Sequence, residues 1–262
     1  MGEVRGMVEV VDIRFRHRDG DEPVLNGISF SSLPGQVTAV LGPNGSGKST
    51  LFKCIAKIWD FDGGDVLISG RSVKDMGHRD VARKVSFVLQ DHEPLFPYTV
   101  FEVVLMGRAP HLGIFSQPSR RDIEVAEKAM DLLGIHHLAD RPYTKISGGE
   151  RQLVLIARSI AQEAPVMLLD EPTSHLDFRN QVEVMGKVRD IARREGLTVL
   201  VTLHDPNMAI LFSDKVVMMD KGRLIGEGRA DEVITEERIK KVYGLDVALI
   251  SYNGVKMLCP KI

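Results

Sequence analysis

Gly42-Pro43-Asn44-Gly45-Ser46-Gly47-Lys48-Ser49-Thr50 fits the spacing G-x-x-x-x-G-K-[ST], and its surroundings decide the fold. A buried-strand pattern, Val37–Leu41, precedes it, and a helical pattern, Ser49–Lys57, follows. That strand–loop–helix context is what the spacing needs in order to hold a phosphate. Glycines let the chain curl so that successive backbone N–H groups point inward at an anion, and the next helix adds the positive end of its dipole. Lys48 has the reach for β- and γ-phosphates, and the Ser49 hydroxyl can ligate Mg²⁺.

Working outward, the first forty residues read as short strands: Val8–Phe15, Ile28–Phe30 and Gln36–Leu41, with turn chemistry between Arg18 and Pro23. Further buried-strand patterns fall at Val85–Leu89, Val166–Leu169, Val199–Thr202 and Val216–Met219. They alternate with helical patterns, as a parallel sheet covered by helices requires. The stretch 179–194 carries Val182, Met185, Val188 and Ile191, which are expected on one helical face. Between Asp91 and Ala164 the strand patterns stop, and Thr99–Arg108, Arg121–Leu133 and Ser147–Gln162 read as helices. A helical subdomain of about 92–163 is therefore expected inside a core of 1–91 and 164–243. A short extension, 244–262, returns to strand composition around an Asn253-Gly254 hairpin turn.

Two candidate catalytic sets end neighbouring strand patterns. Val166-Met167-Leu168-Leu169 runs into Asp170-Glu171, where Pro172 ends the strand, and neighbouring strand side chains are expected on opposite faces. Asp170 can then hold Mg²⁺ or its waters, while Glu171 addresses the attacking water. His204 ends the run Thr198–Leu203, and parallel neighbours deliver their C-terminal ends to one sheet edge. His204 is thereby placed to sense a γ-phosphate. Asp177, directly before a helical stretch, suits an N-cap at least as well as a functional role.

Ser147-Gly148-Gly149-Glu150-Arg151-Gln152 opens a long helix as a capping box, with Ser147 as cap and Glu150 three residues on. The box leaves Gly148 and Gly149 unexplained, since a helical glycine costs up to about 1 kcal/mol relative to alanine. Close approach of a phosphate from a second nucleotide site would account for them.

Taken together, these motifs resemble the nucleotide-binding subunits of ATP-binding cassette (ABC) transporters over essentially the whole chain. The resemblance assigns Walker A to Gly42–Thr50, the Q-loop glutamine to Gln90 and the signature to Ser147–Gln152. Walker B with its glutamate is Val166–Glu171, the D-loop is Ser174-His175-Leu176-Asp177, and the switch histidine is His204. It implies a P-loop α/β fold with an N-terminal antiparallel β portion and an inserted helical subdomain. It also implies ATP and Mg²⁺ as cofactors, with Ser49, Gln90 and Asp170 around the metal. Two copies would associate on ATP, Ser147, Gly148 and Gly149 of one completing the site of the other. The ring that stacks on adenine in this family, usually tyrosine, falls at His17, with Phe15 as the substitute.

Gly107-Arg108-Ala109-Pro110-His111-Leu112-Gly113 and Val242–Val247 are similar to stretches of the importer ATPases for iron chelates, haem and cobalamin. Molybdate and tungstate importers have similar subunits. The resemblance implies multi-spanning permease subunits, docked on Tyr98–Arg108 and reaching toward His111, and indirectly a substrate-binding protein. Composition fits this: 34 basic against 36 acidic residues leave a formal charge of −2, with no basic stripe to recruit nucleic acid. No apolar run approaches the ~20 residues that span a bilayer. Cys54 and Cys259 match no metal spacing, which suits a reducing compartment. Attachment to the cytoplasmic face of the membrane through the permease is the expectation. No Asn precedes a Lys, so the base-reading motif of a GTPase is missing. A soluble cassette ATPase would usually carry a second cassette or a coiled-coil insertion.

Overall fold

The structure, a computed structural model, describes residues 7–18, 21–89, 97–113, 115–252 and 254–261; Gln90 and Asn253 lie outside them. The chain opens with β1 (Val8–Phe15), β2 (Leu25–Ser32), β3 (Val37–Leu41) and α1 (Lys48–Ile55). Next come β4 (Gly63–Ile68), β5 (Arg71–Ser72), α2 (His78–Ala82) and β6 (Val85–Val88). The helices α3 (Val100–Leu105), α4 (Arg120–Leu133) and α5 (Gly148–Ala161) separate β6 from β7 (Val166–Leu169). After β7 follow α6 (Phe178–Glu195), β8 (Thr198–Leu203), α7 (Pro206–Phe212), β9 (Lys215–Asp220) and β10 (Arg223–Gly228). The chain closes with α8 (Ala230–Val233), α9 (Glu236–Tyr243), β11 (Val247–Tyr252) and β12 (Val255–Pro260).

A six-stranded sheet, ordered β10-β9-β3-β8-β7-β6, is parallel except where β10 joins β9. Its central strands are buried throughout, and their alternate residues feed two different cores. Ala39, Leu41, Met167, Leu169, Val199 and Val201 face one, where helices pack; Val40, Val166, Leu168 and Leu200 face the other. That second core also receives Leu51, Phe52 and Ile55 of α1 and the inner face of a four-stranded antiparallel sheet, β2-β1-β4-β5. Burial on both faces is why these parallel strands read as near-continuous apolar runs. The antiparallel sheet clamps the helix that follows the phosphate loop from behind.

Two expectations need correction. On α6 the buried residues are Val184, Met185, Val188, Ile191 and Ala192, and Val182 is exposed. A strict three-residue spacing slips backward by about 60° per step, so Val182 ends up on the far side from Ile191. Within Tyr98–Arg108, Arg108 is also not on an open face, although Tyr98 and Met106 are exposed. Arg108 is only 5% exposed. Its Nε donates to Asp122 Oδ1 (2.9 Å), and its Nη1 donates to Ala161 O (2.7 Å) and Glu163 Oε2 (2.8 Å). Those bonds join the turn after α3 to the start of α4 and the end of α5. Gly107 lies against this junction, where a Cβ would meet Arg158 O at 2.1 Å. His111 is tied down too, through Nε2 and Gln162 O at 2.8 Å.

The helices α3, α4 and α5 each start with a capping box, Thr99/Glu102, Ser119/Asp122 and Ser147/Glu150. Asp122 thus serves a cap and a buried ion pair at once. Hydrogen bonds from the Ser119 hydroxyl and then from Arg108 pull its carboxyl down to about 2. A depressed folded pKa contributes stability in full above the ordinary carboxylate value of about 4, lost as pH falls toward 2. Arg108→Ala should therefore destabilise the chain by about 3–5 kcal/mol at neutral pH, with the gap narrowing below about pH 4. Urea unfolding of both proteins across that range checks it. A loss under about 1 kcal/mol at pH 7 would place the pair among exposed ion pairs instead.

Candidate nucleotide site

The loop between β3 and α1 forms the floor of a cleft. Gly47 sits at φ +99°, and a Cβ there would lie 2.8 Å from Leu25 Cδ2 and 3.0 Å from Val24 O, so only glycine fits. Lys48 is buried, its ammonium donating to Gly42 O (2.8 Å) and Pro43 O (3.2 Å). Burial pushes its pKa below the ordinary lysine value, against the opposing pull of Glu171 and Asp170. Ser46 Oγ is buried with no hydrogen-bond partner among the described residues. The cleft has a volume of about 280 Å³ and is lined by His17, Val24, residues 44–50 and Glu171.

The acidic pair meets this loop across the sheet edge. Asp170 is buried, and its Oδ1 accepts from Ser49 Oγ (3.1 Å) on α1 and from Thr202 Oγ1 (2.7 Å) on β8. Thr202 Oγ1 also accepts from the Glu171 backbone N–H (2.7 Å). Thr202 was not singled out from sequence; its signal is a lone hydroxyl near the end of an apolar run that is buried throughout. Glu171 Oε1 lies 2.5 Å from His204 Nε2. The carboxylates do take different partners, but pleating is not the reason. The strand ends at Leu169, and Glu171 turns away in the left-handed region at φ +50°. For a non-glycine residue this costs on the order of 1–3 kcal/mol and persists only where surroundings impose it.

The donors fit a hard divalent cation that arrives with a nucleotide. A hydroxyl (Ser49) and a carboxylate (Asp170) stand side by side below the cleft. No group of three or more His, Cys, Asp or Glu able to hold a metal occurs among the described residues. Mg²⁺ characteristically takes one or two protein oxygens and completes its shell with phosphates and water. Gln90 lies outside the described residues.

The remaining candidates sit apart. Ser147, Gly148 and Gly149 are not in the cleft lining. The capping box forms, with Ser147 Oγ accepting from Glu150 N and Glu150 Oε2 accepting from Ser147 N. Gly149 has a reason within the chain, because a Cβ would come 2.9 Å from Asn180 Cγ. Gly148 is exposed, with Leu176 Cδ2 at 3.9 Å the nearest atom to a Cβ. Asp177 caps α6, its carboxylate accepting from Asn180 N (2.8 Å). His17 is exposed at the rim and meets Phe15 and Trp59 edge-on, whereas Phe15 is buried and stacked on Trp59. Phe15 is therefore not available as a substitute stacking surface.

A family model described as "ABC transporter" matches residues 25–174. An uncharacterized ABC transporter ATP-binding protein of Methanocaldococcus jannaschii is 41% identical over 97% of this chain and 96% of its own length. The ferric enterobactin transport ATP-binding protein of Escherichia coli is 34% identical over 88% of this chain and 85% of its own. Among solved structures, an inward-facing ABC transporter assigned to the metal-chelate type superposes with a TM-score of 0.85 at 32% identity, covering 98% of both chains.

Thr202 bridges both carboxylate-bearing residues from a fully buried position. Thr202→Val keeps the shape and strips both bonds, so it should destabilise by about 1–3 kcal/mol. Thr202→Ser should remain near wild type. Denaturant unfolding of the pair tests this, and wild-type stability in the valine variant would show that the bridge contributes nothing.

Proposed function

Because this chain belongs to the ATP-binding proteins of ABC transporters, we propose that it is the ATP-hydrolysing subunit of an importer for a metal chelate: an iron–siderophore complex, haem or cobalamin. The observation that carries the reading is the meeting of Lys48, Ser49–Asp170 and Glu171–His204 at one sheet edge around one cleft. The cargo class draws on the ferric enterobactin relative and the metal-chelate type structure.

In this reading the triphosphate of ATP lies on residues 42–50, where the N–H groups of the loop and Lys48 offset its charge. Lys48 leaves the carbonyls of Gly42 and Pro43 to do so. Ser49 and Gln90, with Asp170 nearby, would hold Mg²⁺, which would supply positive charge against the phosphates. Glu171 accepts a proton from water as the water oxygen bonds to the γ-phosphorus and the bond to the bridging oxygen breaks, releasing ADP. His204 holds the Glu171 carboxylate and contacts the γ-phosphate. His17 offers the adenine an imidazole face, backed edge-on by Trp59.

A second copy supplies Ser147, Gly148 and Gly149, with Asp177 near the shared surface. Such an isologous pair fills both signatures at once. The permease would dock on the subdomain of about 92–163, inserted into the core of 1–91 and 164–243 with its extension of 244–262. There Tyr98, Glu102 and Met106 present the exposed stripe that Arg108 does not. A substrate-binding protein acts at one remove, and the chain is held peripherally at the cytoplasmic face.

Glu171→Gln should lower ATP turnover by about 10²–10⁴-fold while leaving nucleotide binding intact. Steady-state ATPase and equilibrium binding, measured together, test the base; wild-type turnover would remove Glu171 from the mechanism. The same variant should sediment as a monomer without nucleotide and as a twofold dimer with ATP and Mg²⁺. A monomer at saturating ATP would count against the shared site.

A further inference from the structure

The C-terminal hairpin is fastened to α9 and α7 at places the reaction does not explain. At the Leu249–Leu258 pair of the β11–β12 hairpin, both backbone amides are taken by side chains from outside the hairpin. Leu249 N donates to Glu236 Oε1 (2.9 Å) at the start of α9. Leu258 N donates to Asn207 Oδ1 (2.8 Å), and Asn207 Nδ2 donates back to Leu258 O (3.2 Å). Asn207 thus pairs with the hairpin edge much as a neighbouring strand would. It stands three residues after His204, and its own N–H is held by Asp205 Oδ1 (2.8 Å), which caps α7.

A third fastening joins α9 to the phosphate loop. Tyr243 ends α9, and its hydroxyl is buried with no hydrogen-bond partner among the described residues, the Gly42 backbone being a polar group near it. Burial pushes the phenol up to about 12, so at neutral pH it stays an O–H. A tyrosine needs no hydroxyl to fill apolar space, and a buried hydroxyl without a good partner is destabilising. Its presence beside the first glycine of the loop calls for a reason.

We propose that Asn207 and Tyr243 are positioning residues for ATP hydrolysis, by which the C-terminal hairpin braces the histidine loop and the phosphate loop against each other. The inference rests on the ATPase reading given above. The route is short: hairpin to Asn207, through the Asp205 cap to His204, and from His204 to Glu171. On the other side it runs from α9 through Tyr243 to Gly42. Asn207 therefore acts on the orientation of the base, and Tyr243 on the cradle that receives phosphate.

The two ends predict different kinetic signatures in the full chain. Asn207→Ala should lower kcat about ten-fold with KM for ATP within about two-fold, because it disturbs the reacting geometry and not the binding loop. Tyr243→Phe should raise KM about three-fold with kcat near wild type. Rates are divided by nucleotide bound, so loss of folded protein cannot imitate either effect. Hydrogen exchange at the Leu258 amide reports whether the tether is broken. Ile250→Ser, on the exposed outer face of the hairpin, should change neither constant. Wild-type kcat per bound nucleotide in Asn207→Ala, or in a chain ending before Asp246, overturns the brace. A wild-type chain that neither binds nor hydrolyses ATP strikes the functional reading instead, so the two failures are distinguishable.

Discussion

The carboxylate of Asp170 is the constraint on which the site depends. It is 3% exposed, and a charge buried that deeply persists only when hydrogen bonds surround it. Its donors come from two other elements, Ser49 at the start of α1 and Thr202 near the end of β8. One buried charge therefore fixes how far the phosphate-loop helix stands from the sheet and how β7 sits beside β8. Thr202 extends the same constraint to Glu171 by holding its backbone N–H. The glutamate then leaves the strand in a left-handed turn and reaches His204. Strain at Glu171 is tolerable because bonds on both sides impose it.

Much of this was legible in the sequence, and for a clear reason. Residues 42–50 form a contiguous motif whose backbone shapes the loop, so its spacing alone carries the geometry. The parallel strands announce themselves because both their faces are buried, which leaves runs such as Val166–Leu169 with no polar interruption. The capping box at Ser147 is equally local. The less legible features depend on partners distant in sequence. Thr202 looks like one more β-branched residue until Asp170, 32 positions away, is placed against it. Arg108 reads as a surface residue until Ala161 O, 53 positions away, is seen to receive its guanidinium. The strand β4 opens with Gly63-Gly64-Asp65, which is turn chemistry by composition and a strand only because β1 pairs with it.

The site is also organised by what it leaves open. Lys48 folds back onto the carbonyls of its own loop, and Glu171 and His204 bind each other. Each of these groups has a partner that a nucleotide could replace. The signature lies away from the cleft with its cap already formed, and Gly148 is exposed. A single chain thus presents a cradle with one open side and, elsewhere on its surface, a helix start whose Gly148 is exposed. Complementarity between those two surfaces is the simplest way to use both.

Mixing two crippled variants tests that complementarity. Lys48→Ala disables the cradle, and Gly148→Asp sets a carboxylate where the phosphate of the other copy would arrive. Each alone should be inactive. In an equimolar mixture half the pairs are mixed, and each mixed pair has one site free of both changes, so ATPase should return to about a quarter of the wild-type rate. A mixture no more active than the sum of its inactive parts would contradict a site shared between two copies.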